Sequence, residues 1–174
     1  MYLAPHPKRS AENSMDGIED KVRSSIVNLC TAIEREGNEV LLAIGFLTTD
    51  SVTEVGAKLL FEGDLPDDAE DYQLLSPVEW IRSEEDAFSA LNQQLSSFIL
   101  SSEDEQKYEE RVSMIFNVFA STLESVDLRA RFGSGLYLTF AGVDPNRILE
   151  LEEKKFVQLM NTHSVFKRWC AEFD

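Results

Sequence analysis

The sequence is short of the residues from which metal sites and disulfide frameworks are built. Cys30 and Cys170 are its only cysteines, far apart and without a CxxC pair, and only two histidines accompany them. Neither a zinc site nor a disulfide framework follows from so few ligands, so no metal or other cofactor is expected and a reduced, cytoplasmic compartment fits best. Long apolar runs are missing as well. The longest, Val40 to Leu47, has eight residues, against the roughly twenty that a helix needs to cross a hydrocarbon layer. Near the N-terminus, Lys8 and Arg9 follow a very short apolar start, the reverse of a secretory signal. Positive charge is the third scarcity: 16 basic against 32 acidic side chains, a net charge of −16. A protein that grips nucleic-acid phosphates needs a basic footprint, and an anionic membrane repels an acidic one, so neither partner is expected.

What the chain does have is enough to fold. Its 174 residues are 43% hydrophobic and 10% aromatic, too apolar for a disordered acidic chain, and the length suits one domain. Residues 1–13, with Pro5, Pro7, Lys8 and Arg9 and no periodicity, read as a flexible leader before a single domain over 14–174. Ile18, Val22, Ile26, Leu29 and Ile33 recur every three or four residues, which predicts a helix over 15–36 with Gly37 as its stop. Val40 to Thr49, rich in β-branched and aromatic residues, predicts a buried strand. After a turn at Thr49-Asp50-Ser51, Val52 to Phe61 predicts a second strand, with Gly56 and Ala57 marking a bulge or a close backbone approach.

Residues 62–77 carry prolines, Gly63 and many aspartates and read as a loop. Ser83, with Asp86 three residues on, resembles a capping box and predicts a helix over 84–100 whose inner stripe is Phe88, Leu91, Leu95 and Phe98. A further helix is expected from Glu103, with Tyr108, Val112, Ile115, Phe119 and Leu123 inward. Leu136 to Ala141 predicts a third strand, Asp144-Pro145 the start of a helix, and Val165, Phe166, Trp169 and Phe173 a terminal helix. The order implies an α+β fold: a small antiparallel or mixed sheet of three to four strands packed with about five helices.

Charge is the most informative feature. Residues 62–86 hold ten acids against Arg82 alone, and residues 103–110 five acids against Lys107. Such crowding serves either solubility or the steering of a basic partner. For the second use the candidate contact residues are Asp64, Asp67, Asp68, Glu70 and Asp71, then Glu84, Glu85 and Asp86. Trp80, set between the two groups, reads as a core plug or as an anchor for the partner. The aspartates lack the ligand rhythm of a calcium loop. Gly133-Ser134-Gly135 precedes a strand, so it lacks the strand-to-helix setting of a phosphate-binding loop. His163 and Cys170 lie seven residues apart with no orienting third group, a thin basis for a hydrolase or transferase. No catalytic residue is assigned.

Leu75-Ser76-Pro77-Val78-Glu79-Trp80, set after a first strand ending in Thr48-Thr49-Asp50, resembles the Trp-Ser-Pro-x-Glu-Trp-like box of a family of small bacterial proteins, a domain of unknown function. Leu75 stands where the first aromatic of the box often stands, and the resemblance would span residues 18–173. It implies a bacterial setting and brings no catalytic residue. Similar small acidic α+β proteins serve as immunity partners of secreted polymorphic toxins. The expectation is therefore a non-enzymatic cytoplasmic immunity protein whose acidic surface neutralises a cognate, basic toxin. A DNA-mimicking inhibitor of a nucleic-acid-binding protein is the alternative. Oligomeric state is not legible in the sequence.

Overall fold

The computed structural model describes residues 17–97 and 105–173. The expected leader at 1–13, Phe98 and the acidic pair Glu103 and Asp104 lie outside the described residues. Among the described residues the chain is α+β, seven α-helices around a four-stranded mixed sheet.

Helix α1 (Ile18–Arg35) buries the whole predicted stripe, from Ile18 to Ile33. Gly37 follows at φ +92°, the left-handed turn that ends a helix with least strain in glycine. Strands β1 (Leu41–Thr48) and β2 (Val55–Phe61) pair antiparallel. The ladder's irregularity falls between Leu41 and Ala43 of β1, whereas Gly56 and Ala57 pair regularly with Leu47 and Phe46, so of the bulge or close approach expected there the bulge is absent. The connecting turn is tightly held. Val52 is fully buried at φ +52°, an unusual conformation for a β-branched residue, while Arg111 donates to the Ser51 carbonyl at 2.7 Å and Tyr108 donates to that of Asp50.

The segment expected as a loop contains helix α2 (Asp71–Leu75), whose start is fastened by the Glu70 N–H donating to Gln73 Oε1 at 2.9 Å. Ser83 does not cap a helix. It lies in strand β3 (Arg82–Glu84), opposite Lys58 of β2. Glu84 Oε1 accepts from the Ala87 N–H at 3.2 Å, and the 3-10 turn that follows leads into α3 (Ser89–Ser96). Helix α4 (Glu105–Val126) buries Val112, Ile115, Phe119 and Leu123 as predicted. The segment after it forms the short helix α5 (Leu128–Phe132).

Strand β4 (Tyr137–Gly142) runs parallel to β1, giving the order β3-β2-β1-β4. Helix α6 (Arg147–Met160) starts two residues later than Asp144-Pro145 suggests. Asn146 is the cap, accepting from the N–H groups of Ile148 and Leu149 at 3.0 and 3.1 Å. Its amide also donates to the Tyr108 hydroxyl at 2.7 Å, a tertiary contact that favours it over Asp144. Helix α7 (His163–Phe173) closes the chain.

The sheet has two unlike faces. Ile44, Phe46, Ala57, Leu59, Leu138 and Phe140 point to one side and join α1, α3, α4 and α6 in the main core. On the other side a smaller cluster forms, in which Ala43, Leu60 and Tyr137 meet Leu75, Trp80, Val157 and Trp169.

Candidate functional site

The acidic segment 62–86 crosses the second face and returns along the β3 edge, and its carboxylates fall into two kinds. Asp64 and Asp71 are structural. The Asp64 side chain is 8% exposed; its Oδ2 accepts from the Phe61 N–H at 3.1 Å and its Oδ1 from Arg82 Nε at 3.0 Å. Arg82 also holds Glu39 at 2.6 Å and lies over the Phe61 ring, 4.4 Å from its centroid. Hydrogen bonds to Glu39 and Asp64 push the guanidinium pKa further up. Arg82 thus ties the start of the acidic segment to β3. Asp71 pairs with Arg168, whose Nε donates to Oδ2 at 3.0 Å and which holds the carboxyl below its usual range. That pair fastens α2 to α7.

Asp67, Asp68, Glu70, Glu85 and Asp86 are the other kind, exposed to solvent. Glu84 is half-buried and accepts from the Ala87 N–H. Trp80, 3% exposed, packs into the smaller cluster. Its indole N–H donates to the Gln73 carbonyl at 2.9 Å, and its ring meets Tyr137 edge-on at 6.3 Å. Pro77 and Trp80 lie so close on β1 that a Cβ added at Gly45 would come within 2.3 Å of Pro77 Cβ. The tryptophan is therefore not available as an anchor. Burying it turns its neighbours outward: Val78 is 50% and Ile81 77% exposed.

Of these, Val78 borders the open part of the second face. Pro77, Trp80 and α7 cover only the Ala43 to Gly45 half of β1, and beyond them lies a groove of about 420 Å³ whose floor includes Leu47, Gly56 and Lys58. Val78 and Val143, both at least half exposed, form its apolar rim, and Glu54 and Glu85 line it as well. Sequence reasoning missed Val78, Val143 and Leu47, because no local pattern brings positions so far apart in the chain to one groove.

The second acidic stretch faces elsewhere. Glu109 and Glu110 line a wide hollow of about 810 Å³ with α6, where Glu152 pairs with Lys155 at 2.6 Å, and this hollow shares no lining residue with the groove. His163 is exposed at the start of α7 and Cys170 is half-buried two turns later. Burial pushes the Cys30 thiol pKa up, which disfavours the reactive thiolate. Among the described residues no three His, Cys, Asp or Glu side chains converge as a metal site, and no helix is long and apolar enough to cross a membrane.

A scan against protein-family models, a search of curated proteins and a search of solved structures each return no match.

Proposed function

We propose that this chain is a non-enzymatic binding protein that neutralises a basic protein partner through the acidic surface of residues 62–86, as an immunity protein does for a cognate bacterial toxin in the cytoplasm. The observation that carries the reading is the division of labour among the acids. Asp64 and Asp71 spend their charge on Arg82 and Arg168 and hold the segment in place. Asp67, Asp68, Glu70, Glu85 and Asp86 remain exposed on that fixed frame. Preplaced like charges raise the encounter rate with an opposite surface, from about 10⁵–10⁶ to 10⁸–10⁹ M⁻¹s⁻¹ at low salt, and apolar neighbours then supply affinity. The bacterial setting rests on the resemblance carried by the Leu75–Trp80 box alone.

Gene neighbourhood supplies the test. Where a large secreted protein with a variable C-terminal domain is encoded directly upstream, that domain arrests growth when produced alone, and co-production of this chain restores it. Association is expected to slow steeply with salt, and the triple variant Asp67→Asn, Asp68→Asn, Glu70→Gln to lower the low-salt on-rate about tenfold with the fold unchanged. An unaltered on-rate would remove the acidic segment from the function.

A further inference from the structure

Resting on the reading just given, we infer that the open half of the sheet's second face is a docking groove for one segment of a basic protein, which seats an aliphatic side chain against Leu47, Val78 and Val143 while a flanking Arg or Lys meets Glu54 and Glu85. The groove is built by three separate parts of the chain. Leu47 and Gly56 come from paired strands, Val78 from the 3-10 turn beside buried Trp80, and Val143 from the end of β4. Sheet faces in folded domains are normally covered; among the described residues nothing covers this half, and its rim carries valines 50% and 57% exposed.

Its depth has a sequence cause. Gly56 has no side chain to fill the floor, and the space that a Cβ would enter lies 3.5 Å from Glu85 Cγ. The Glu85 arm therefore lies across the floor and brings a carboxylate to the apolar patch, and Glu54 adds a second. Lys58, facing Ser83 on β3, is the one cation among the described lining residues and suits a carbonyl oxygen of the incoming segment.

Charge selects the occupant. A second copy of this chain would bring another −16 and the same Glu54 and Glu85 to the contact, and nucleic acid is anionic throughout; both are repelled. A peptide segment with an apolar side chain between cationic ones satisfies both halves of the groove. The exposed Glu79 and Asp86 extend the attraction outward from it.

The test uses the full chain, isotope-labelled for amide NMR, and a capped hexapeptide of alternating leucine and arginine as the probe. Shifts are expected to concentrate at Leu47, Gly56, Lys58 and Val143. The double variant Val78→Ser, Val143→Ser is expected to weaken binding at least tenfold, and Glu54→Gln with Glu85→Gln about tenfold at low salt. All four substituted side chains are exposed, so the variants should retain the wild-type spectrum away from the groove. Shifts confined to residues 67–71 would overturn the groove while leaving the acidic-surface reading standing. Equal binding of a peptide with glutamate in place of arginine, or no shift at millimolar peptide, would overturn the inference, and growth rescue judges the wider function independently.

Discussion

The two faces of the sheet are packed to different standards, and the difference separates what holds this protein together from what it can offer a partner. On the helix-covered face the contacts are aromatic and continuous. Phe140 stacks on Phe116 at 4.1 Å between ring centroids and meets Phe119 at 4.7 Å, Phe156 at 5.8 Å and Phe46 at 6.0 Å, all of them buried. On the opposite face the cover formed by the described residues stops halfway along the strands. Among the described residues each face leaves a buried polar atom unpaired, the Thr122 hydroxyl of α4 on the first and the Trp169 indole N–H on the second, so the contrast lies in how far the cover extends. The first face specifies the fold; the second leaves surface available.

The largest expected effect breaks the first face. Phe140→Ala removes the ring on which four others converge, and a buried phenylalanine truncated to alanine costs about 3–5 kcal/mol. Urea unfolding should report that loss, a large part of the whole stability of an ordinary domain. A loss below about 1 kcal/mol would mean that the two faces are not packed so differently after all.

A smaller effect sharpens the comparison through acid–base chemistry. Glu153 of α6 lines a hollow of about 440 Å³ shared with Trp169 and Phe173 of α7, where Arg147, Glu150 and Lys154 are the other charged side chains. Burial, reinforced by the charge of Glu150, raises its pKa from 4.5 to about 7. The folded state thus prefers the neutral acid. Its stabilising contribution is complete below the unfolded value near 4.5 and is lost as pH rises through about 7. The loss amounts to about 3 kcal/mol. Stability measured across that window should fall with pH in the wild type, and Glu153→Gln should flatten the slope. An unchanged slope would place the titration elsewhere.

How much of this was legible beforehand depends on how local the cause is. The stripe from Ile18 to Ile33 and the inward residues of α4 are periodic within one helix, so spacing alone locates them. The α+β class followed from the same patterns. Ser83 carries a plausible capping signal, yet it sits in a strand because Lys58 of β2 offers a backbone partner 25 positions earlier, and no local pattern encodes that. Trp80 stands among carboxylates in sequence, and its burial is decided by Gly45 on β1, where the missing side chain lets the ring approach. The number of acids is plain in the sequence, but their division into paired and exposed depends on where Arg82 and Arg168 arrive in three dimensions.

Gly45→Ala probes the boundary between the covered and open halves of the second face. The added methyl would meet Pro77 Cβ at 2.3 Å and a Trp80 ring carbon at 2.9 Å. A proline ring cannot swing aside as the end of a long side chain can, so the 77–80 segment has to lift from the strand. Overpacking of this kind costs about 1–3 kcal/mol, offset in part by the lower unfolded-state entropy of alanine. The helix-covered face, which Gly45 does not touch, should keep its aromatic packing. Trp80 fluorescence is therefore expected to shift to longer wavelength as its ring gains solvent, while the ring-current-shifted methyl signals beside Phe140 stay in place. Lifting Pro77 also moves Val78 from the groove rim, so the same variant should weaken the leucine–arginine peptide without any substitution in the groove. If the tryptophan spectrum and peptide affinity were both unchanged, the covered half would not be setting the shape of the open one.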